Sequence, residues 1–266
     1  MNAQRPPLRQ SAAPSSNPVV RASIWSPSPA PISPAQVRAP LVTRRYDISW
    51  LNSSGEVDAA TRVAPANPDF EETAAAFARG TLIATQGGPV AVEDLVPGMI
   101  AATAEGRMEP IMWIGSINLF APRGTGDSTP VTLTRITAES FGMARPMTDV
   151  VLGPRARLLL RDARCRPLVH SDTAFAPARA FVDGISVIEV RPAAPVTMFH
   201  IALRRHGTLR AAGLEVEAFH PGPARAELTD PQLAGYYLSL FPHITTLGDF
   251  GPMIHPRLSA ADVATM

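Results

Sequence analysis

Phe77-Ala78-Arg79-Gly80-Thr81-Leu82-Ile83-Ala84-Thr85 is the stretch on which the fold turns, read with Val90-Ala91-Val92-Glu93-Asp94-Leu95 and Pro97-Gly98 behind it. Leu82 to Thr85 and Val90 to Val92 are short apolar runs. Gln86-Gly87-Gly88-Pro89 separates them, with glycines that reach conformations closed to other residues and a proline that fixes a turn. Two strands and a tight connection are expected here. The pattern recurs downstream. Ile111 to Ile114 surround Trp113; Val150 to Leu152 and Leu158 to Leu160 flank Gly153-Pro154; Ile185 to Val190 is β-branched between Gly184 and Pro192. Phe199, Ile201 and Leu203 alternate with His200, Ala202 and Arg204 at a period of two. Many short strands with Gly/Pro punctuation predict a mostly β, compact domain over residues 67–222 rather than βαβ units.

The flanks read differently. Residues 1–43 are rich in Pro, Ser and Ala and carry no Asp or Glu. Nine prolines there exclude continuous helix or central strand, and the apolar content is too small to offset the entropy of ordering. A disordered arm is expected. Ile24-Trp25 as a docking motif and the acid-free arm as a targeting segment are the alternatives. In 44–66, Tyr46, Ile48 and Trp50 alternate with Asp47 and Ser49. Asn52-Ser53-Ser54-Gly55 signals a turn, and Val57 to Val63 returns as a second strand of a β-hairpin. An isolated hairpin is marginal in water, so it is expected to pack on the following domain. Thr73 to Ala76 read as a helical turn. Residues 223–266 form a helical tail that packs on the β domain. Thr229-Asp230-Pro231 starts its helix, Leu233, Tyr236, Tyr237 and Leu240 give an apolar face, and Ser259 opens a final turn.

Composition narrows the function. The chain has 266 residues, is 45% hydrophobic and carries a formal net charge of +1, so no global field selects nucleic acid. All its basic residues are arginine, which fits genomic base composition together with the abundant Ala and Pro. The single cysteine, Cys165, excludes an intrachain disulfide or a cysteine-based metal cluster within one chain. No run approaches the roughly 18 apolar residues of a membrane span. Residues 1–10 lack the apolar core of a secretory signal, so the default expectation is the cytoplasm. His200, His206 and His220 are close in sequence, but no acidic or cysteine partner stands at metal-ligand spacing; neither metal nor cofactor is expected.

The Phe77 block resembles the opening of a Hint module, the self-processing fold shared by inteins and the C-terminal part of Hedgehog proteins. The resemblance implies a compact Hint-like β fold and a nucleophilic Cys or Ser just before the matching phenylalanine. That residue attacks the preceding carbonyl and turns the amide into an ester or thioester, with a histidine assisting proton transfer. Here the position is Ala76. Val150 to Leu160 resembles the second block, whose bacterial pattern runs serine, proline, any residue, histidine, arginine. Pro154 and Arg157 match, whereas Gly153 and Ala156 stand for the serine and histidine. Met198 to His206 and Ala211 to Gly222 resemble the third block. His206 matches a position near the cleft, Arg204 stands where an acidic residue often precedes that histidine, and Glu217-Ala218 replace the histidine-asparagine pair of inteins. The resemblance covers residues 76–222.

The family positions Ala76, Ala156, Glu217 and Ala218 have thus lost their expected groups. Thr73 and Thr81 are the nearest hydroxyls, and neither can form the usual five-membered intermediate with the carbonyl of Ala75. Three functions follow. The first is a self-processing-type module without its self-cleavage chemistry. The second is a binding or structural module that holds a peptide, the basic arm or a protein partner in the same cleft. The third is an unrelated β-domain hydrolase using His206 and Glu217. Glu93-Asp94 reads as a turn whose acids cap backbone N–H groups, with acid-base work as the alternative. Cys165 reads as a passive turn thiol, with activation by its flanking arginines as the alternative.

Overall fold

The computed structural model describes residues 42–120, 131–222 and 230–266. The expected arm lies outside them, apart from Val42 and Thr43. Strand β1 (Thr43–Leu51) pairs antiparallel with β2 (Val57–Pro65) in one unbroken register, from Thr43 opposite Pro65 to Leu51 opposite Val57. Asn52 closes the turn, its Oδ1 accepting the amides of Ser54 and Glu56. The period of two decides the faces. Tyr46 and Ile48 are buried, and Asp47 between them is exposed.

Helix α1 (Pro68–Glu71) starts on an Asn67 side chain that accepts the Phe70 amide, with proline in the first turn. A 3-10 turn, Glu72–Ala74, then delivers the chain to β3 (Phe77–Ala78). The predicted hairpin around Gly87-Gly88 is β4 (Leu82–Thr85) with β5 (Gly88–Ala91). There follow β6 (Ile100–Ala102), β7 (Met108–Leu119), β8 (Leu133–Ile136), β9 (Val150–Leu152) and β10 (Arg157–Arg161). After helix α2 (Arg166–Val169) come β11 (Thr173–Pro177), β12 (Val187–Val190), β13 (Val196–Leu203), β14 (Thr208–Ala211) and β15 (Leu214–Glu217).

Among the described residues these make a sheet of 15 strands, in the order β11-β10-β15-β14-β4-β6-β7-β13-β3-β9-β8-β12, with β5 on β4 and the hairpin attached through β1. All strand ladders are antiparallel. The fold is therefore mostly antiparallel β with a few short helices. Strand β7 joins its two halves. Met108 to Pro110 pair with β6, and from Ile111 to Leu119 the strand pairs with β13, while Trp113 to Ser116 also receive β1. The hairpin thus extends the sheet.

One apolar cluster gathers Phe77, Ile83, Ile111, Leu152, Ile201 and Val216. A second gathers Tyr46, Phe70, Trp113, Phe219, Phe241 and Phe250, tying the hairpin and the C-terminal segment to β7. Helix α3 (Pro231–Leu238) is capped by Asp230, which accepts the amides of Gln232 and Leu233. Tyr237 and Leu240 bury as expected, but Tyr236 is exposed, because the segment packs on Trp113 through the turn after the helix. Trp113 Nε1 donates to the Leu240 carbonyl at 2.7 Å, and its ring lies 4.9 Å from Phe241 and 5.6 Å from Phe219. Helix α4 (Ala260–Ala264) opens on a Ser259–Asp262 capping box.

One further expectation is corrected, and the turn around Cys165 is refined. The strand read from Ile185 begins at Val187, because Asp183 accepts the amides of Ile185, Ser186 and Val187 in a tight turn and leaves Ile185 exposed. The turn read around Cys165 is a 3-10 turn, Ala163–Cys165, running into α2. Its flanking arginines are engaged by Asp162 and Asp172, and burial pushes the Cys165 thiol up rather than down. Trp113 is the load shared between sheet and tail. Trp113→Phe removes its donor from a buried carbonyl and is expected to cost about 1–3 kcal/mol. Trp113→Ala also opens a cavity and is expected to cost about 3–5 kcal/mol. Guanidinium unfolding of the full chain measures both, and an unchanged midpoint for either would refute this assignment.

Candidate functional site

The 3-10 turn Glu72–Ala74 sets the junction between Ala75 and Ala76 inside the protein, and both residues are fully buried. The backbone there is tied on both sides. Ala76 N–H donates to the Phe199 carbonyl at 3.0 Å, and Gly153 N–H donates to the Ala76 carbonyl at 2.8 Å. Gly153 is needed for close approach, since a Cβ at that position would lie 2.0 Å from the Ala75 carbonyl oxygen. Ala76, Ala156 and Ala218 belong to one apolar cluster with Phe77, Leu152 and Ile201. The structure therefore brings these three alanines, far apart in sequence, into one apolar cluster. The two threonines are committed elsewhere: Thr73 Oγ1 donates to the Phe70 carbonyl at 2.6 Å and Thr81 Oγ1 to the Ala78 carbonyl at 2.7 Å.

Beside this apolar floor runs a chain of buried charges. Glu217, at the end of β15, is 3% exposed. Arg257 Nε donates to its two carboxylate oxygens at 2.9 and 3.2 Å. Arg157 Nη1 stands 3.5 Å from Glu217 and, through Nη2, donates to Glu72 at 2.9 Å; Arg155 approaches Glu72 at 3.6 Å. His206 Nε2 lies 3.5 Å from Glu217 and 3.3 Å from the Ala218 carbonyl. Its Nδ1 accepts the Ile254 amide at 3.1 Å, which places the ring proton on Nε2. Burial pushes the Glu217 carboxyl up. The His206 hydrogen bond and the charges of Arg257 and Arg157 outweigh burial and hold it down to about 2. Glu72 is held below its ordinary value by the same contest, burial against Arg157 and Arg155.

The segment carrying Arg257 closes the region from outside. Phe175 N–H donates to the Pro256 carbonyl at 2.8 Å, Leu258 N–H donates to the Phe175 carbonyl at 2.9 Å, and Arg257 Nη2 donates to the His220 carbonyl at 2.7 Å. His255 Nδ1 meets Thr173 Oγ1 at 3.0 Å, and His220 Nε2 meets the Gly251 carbonyl at 3.0 Å. His206 and Glu217 are thus neighbours, as the hydrolase reading needs, but both are sealed under residues 251–258. His200 sits apart on β13, its Nδ1 3.2 Å from the Glu72 carbonyl and its Nε2 without a partner among the described residues. Among the described residues no three His, Cys, Asp or Glu side chains are grouped to hold a metal ion, and no helix is long and apolar enough to cross a membrane. Glu93 caps as expected, its Oε2 accepting the Gly80 amide at 2.7 Å. Glu72, His255 and Arg257 were not singled out by sequence; Arg157 was noted there only as a match to the second block.

Two tests follow from the charges. Arg257→Leu removes the closest partner of a buried carboxylate and is expected to destabilise the protein by about 3–5 kcal/mol. Glu217→Gln in the same chain is expected to recover part of that loss, measured by denaturant unfolding. The second test is pH. Burial holds His200, His220 and His243 at about 4, against an ordinary 6.5. Between those values the unfolded chain binds protons that the folded one does not. Stability is therefore full above 6.5 and falls as pH drops toward 4, by up to about 1.4 kcal/mol per pH unit for each group. Glu217 acts lower: its stabilisation, present above its unfolded value of 4.5, is lost only as pH falls toward 2. His243→Leu, which removes an imidazole with an unpartnered Nδ1, is expected to flatten the slope between 6.5 and 4 by about one proton's worth. A slope identical to that of the unaltered chain would contradict the assignment.

Comparison with known proteins matches this region. A comparison with curated proteins gives no match. Among solved structures, a bacterial intein-like domain from Clostridium thermocellum is similar at 13% identity and a TM-score of 0.38, covering 55% of this chain and 99% of that one. The MchDnaB-1 intein is similar at 13% identity and a TM-score of 0.31, covering 54% of this chain and 99% of that one. The Hint domain family model matches residues 75–223. That range is more than half of the sequence; it holds Ala76, Ala156, His206, Glu217 and Ala218 and ends before Arg257, and the chain belongs to the Hint domain family.

Proposed function

We propose that this chain is a Hint-fold protein that does not cleave itself at the Ala75–Ala76 junction and serves as a structural or binding module. The observation that carries the reading is Ala76: fully buried at the family's nucleophile position, with a methyl group where the chemistry needs oxygen or sulfur. Ala156 and Ala218 remove the assisting histidine and the cyclising asparagine in the same way. The nearby hydroxyls of Thr73 and Thr81 donate to local carbonyls and do not face the junction's carbonyl as free nucleophiles. Residues 251–258 cover His206 and Glu217, with Arg257 on Glu217 and the Ile254 amide on His206.

The hydrolase reading has one observation in its favour, the 3.5 Å approach of His206 Nε2 to Glu217. It is the weaker reading, because His206 spends its other nitrogen on the Ile254 amide and Glu217 is locked between two arginines.

Intact mass over time, with and without thiol or hydroxylamine, tests the proposal on the purified full chain. A single uncleaved mass is expected, and a cut between Ala75 and Ala76 overturns the reading. Ala76→Cys with Ala156→His restores the two missing groups and is expected to allow thiol-induced cleavage at that junction. Ala76→Cys alone is expected to be slower by up to about 10²–10⁴-fold, the contribution of a placed acid or base. The added sulfur enters a close-packed site at a cost of roughly 1–3 kcal/mol, so unfolding is measured alongside.

A further inference from the structure

The edges of the sheet are unequal. Strand β11 is covered by the chain itself, through the hydrogen bonds between Phe175 and residues 256 and 258 and the bridge from Phe175 to Arg257. Strands β12 and β5 end their parts of the sheet with four residues each. Covering and shortness are the usual ways an edge is kept from pairing. Among the described residues strand β2 has neither. It is nine residues long, and among the described residues it pairs only with β1. It carries no lysine, no bulge in its register and no proline before Pro65.

The hydrogen-bond phase of the hairpin says which groups are free. Asn52 N–H donates to the Glu56 carbonyl and Ala66 N–H to the Val42 carbonyl, so residue numbers of opposed pairs with bonds are even. Asp58, Ala60, Arg62 and Ala64 therefore turn their N–H and C=O groups toward β1. Val57, Ala59, Thr61 and Val63 turn theirs outward. Val57 and Val63 are also the exposed large apolar side chains of this strand, at 46% and 61%.

We propose that this edge pairs antiparallel with the same strand of a second copy, about a two-fold axis at Ala60, and that the chain forms a symmetric dimer through one continuous sheet. In that register Val57 faces the other copy's Val63 and Ala59 its Thr61, so the outward N–H and C=O groups of all four residues find partners. Asp58 faces Arg62 across the axis, twice, at a non-hydrogen-bonded pair where side chains stand closest. The sequence Val57-Asp58-Ala59-Ala60-Thr61-Arg62-Val63 is thus complementary to itself when reversed: valine against valine, small residue against small residue, acid against base. Neither charge is engaged in an ion pair among the described residues; Asp58 only accepts the Asn52 side-chain amide at 3.1 Å, which leaves its second oxygen available. A two-fold, self-complementary patch is the commonest form of homo-oligomer contact.

Sedimentation of the full chain over a range of concentrations tests this. A concentration-dependent dimer is expected, with slowed amide exchange at Val57, Ala59, Thr61 and Val63 as it forms. Ala59→Pro deletes an outward N–H that the hairpin does not use and is expected to abolish the dimer. Asp58→Arg alone and Arg62→Glu alone each set like charges across the axis, so each is expected to be monomeric. An equimolar mixture of the two variants restores opposite charges in both places and is expected to form a heterodimer. A monomer at every concentration overturns the proposal. So does a dimer that survives Ala59→Pro and both charge reversals, and so does a mixture of Asp58→Arg and Arg62→Glu that remains monomeric.

Discussion

The carboxylate of Glu217 is the constraint on which the arrangement of the other elements depends. An unpaired carboxylate that deep would cost several kcal/mol of lost hydration, so its partners must arrive together. They come from distant parts of the sequence: Arg157 from β10, His206 from the turn after β13, and Arg257 from the C-terminal segment. Arg157 in turn holds Glu72, in the turn that leads to Ala75. One buried acid thus fixes where the chain enters the first block of the family and where its last residues lie. A pair of this kind is weak evidence for net stability against an apolar replacement, but it specifies one arrangement, because each partner left alone would be a buried charge.

Apolar packing settles the rest of the tail. Trp113 is the middle of the longest strand, and its indole N–H reaches a carbonyl 127 residues further along. Its ring also explains the glycine two positions on. A Cβ at Gly115 would lie 2.2 Å from the Trp113 ring, so the strand can carry that tryptophan only if the next residue on the same face has no side chain. The tail and the hairpin then share one cluster, with Tyr46 and Phe70 on one side and Phe241 and Phe250 on the other.

What the sequence disclosed follows from these two kinds of force. Alternation in Tyr46-Asp47-Ile48 reports burial on that strand, so its buried face could be read; in Phe199 to Leu203 it marked the strand but not the face, because β13 is covered on both sides and buries His200 and Ala202 as well as Ile201 and Leu203. His206 and Glu217 were named from the sequence only as matches to the third block and as the pair of the hydrolase alternative. Strand β7 was read only around Trp113, because Pro110 and Gly115 look like breakers in isolation; paired against β6, β13 and β1 they are not. Ile185 read as strand because β-branching carries no trace of Asp183 capturing the amides that follow it. Arg257 was invisible for a deeper reason. Nothing local distinguishes an arginine that crosses 40 residues to a buried acid from one that stays in water.

The junction between Ala75 and Ala76 is held by backbone atoms. Ala76 is fixed by backbone bonds to Phe199 and Gly153, and neither depends on a side chain at residue 76. Methyl groups at Ala76, Ala156 and Ala218 fill the apolar floor without asking for hydrogen-bond partners, whereas a buried thiol, imidazole or amide would need them. The scaffold can therefore keep its strands, its buried acid and its close approach at Gly153 while its side-chain chemistry changes. Membership of the Hint family fixes the architecture and leaves the reaction to be argued from residue 76 itself.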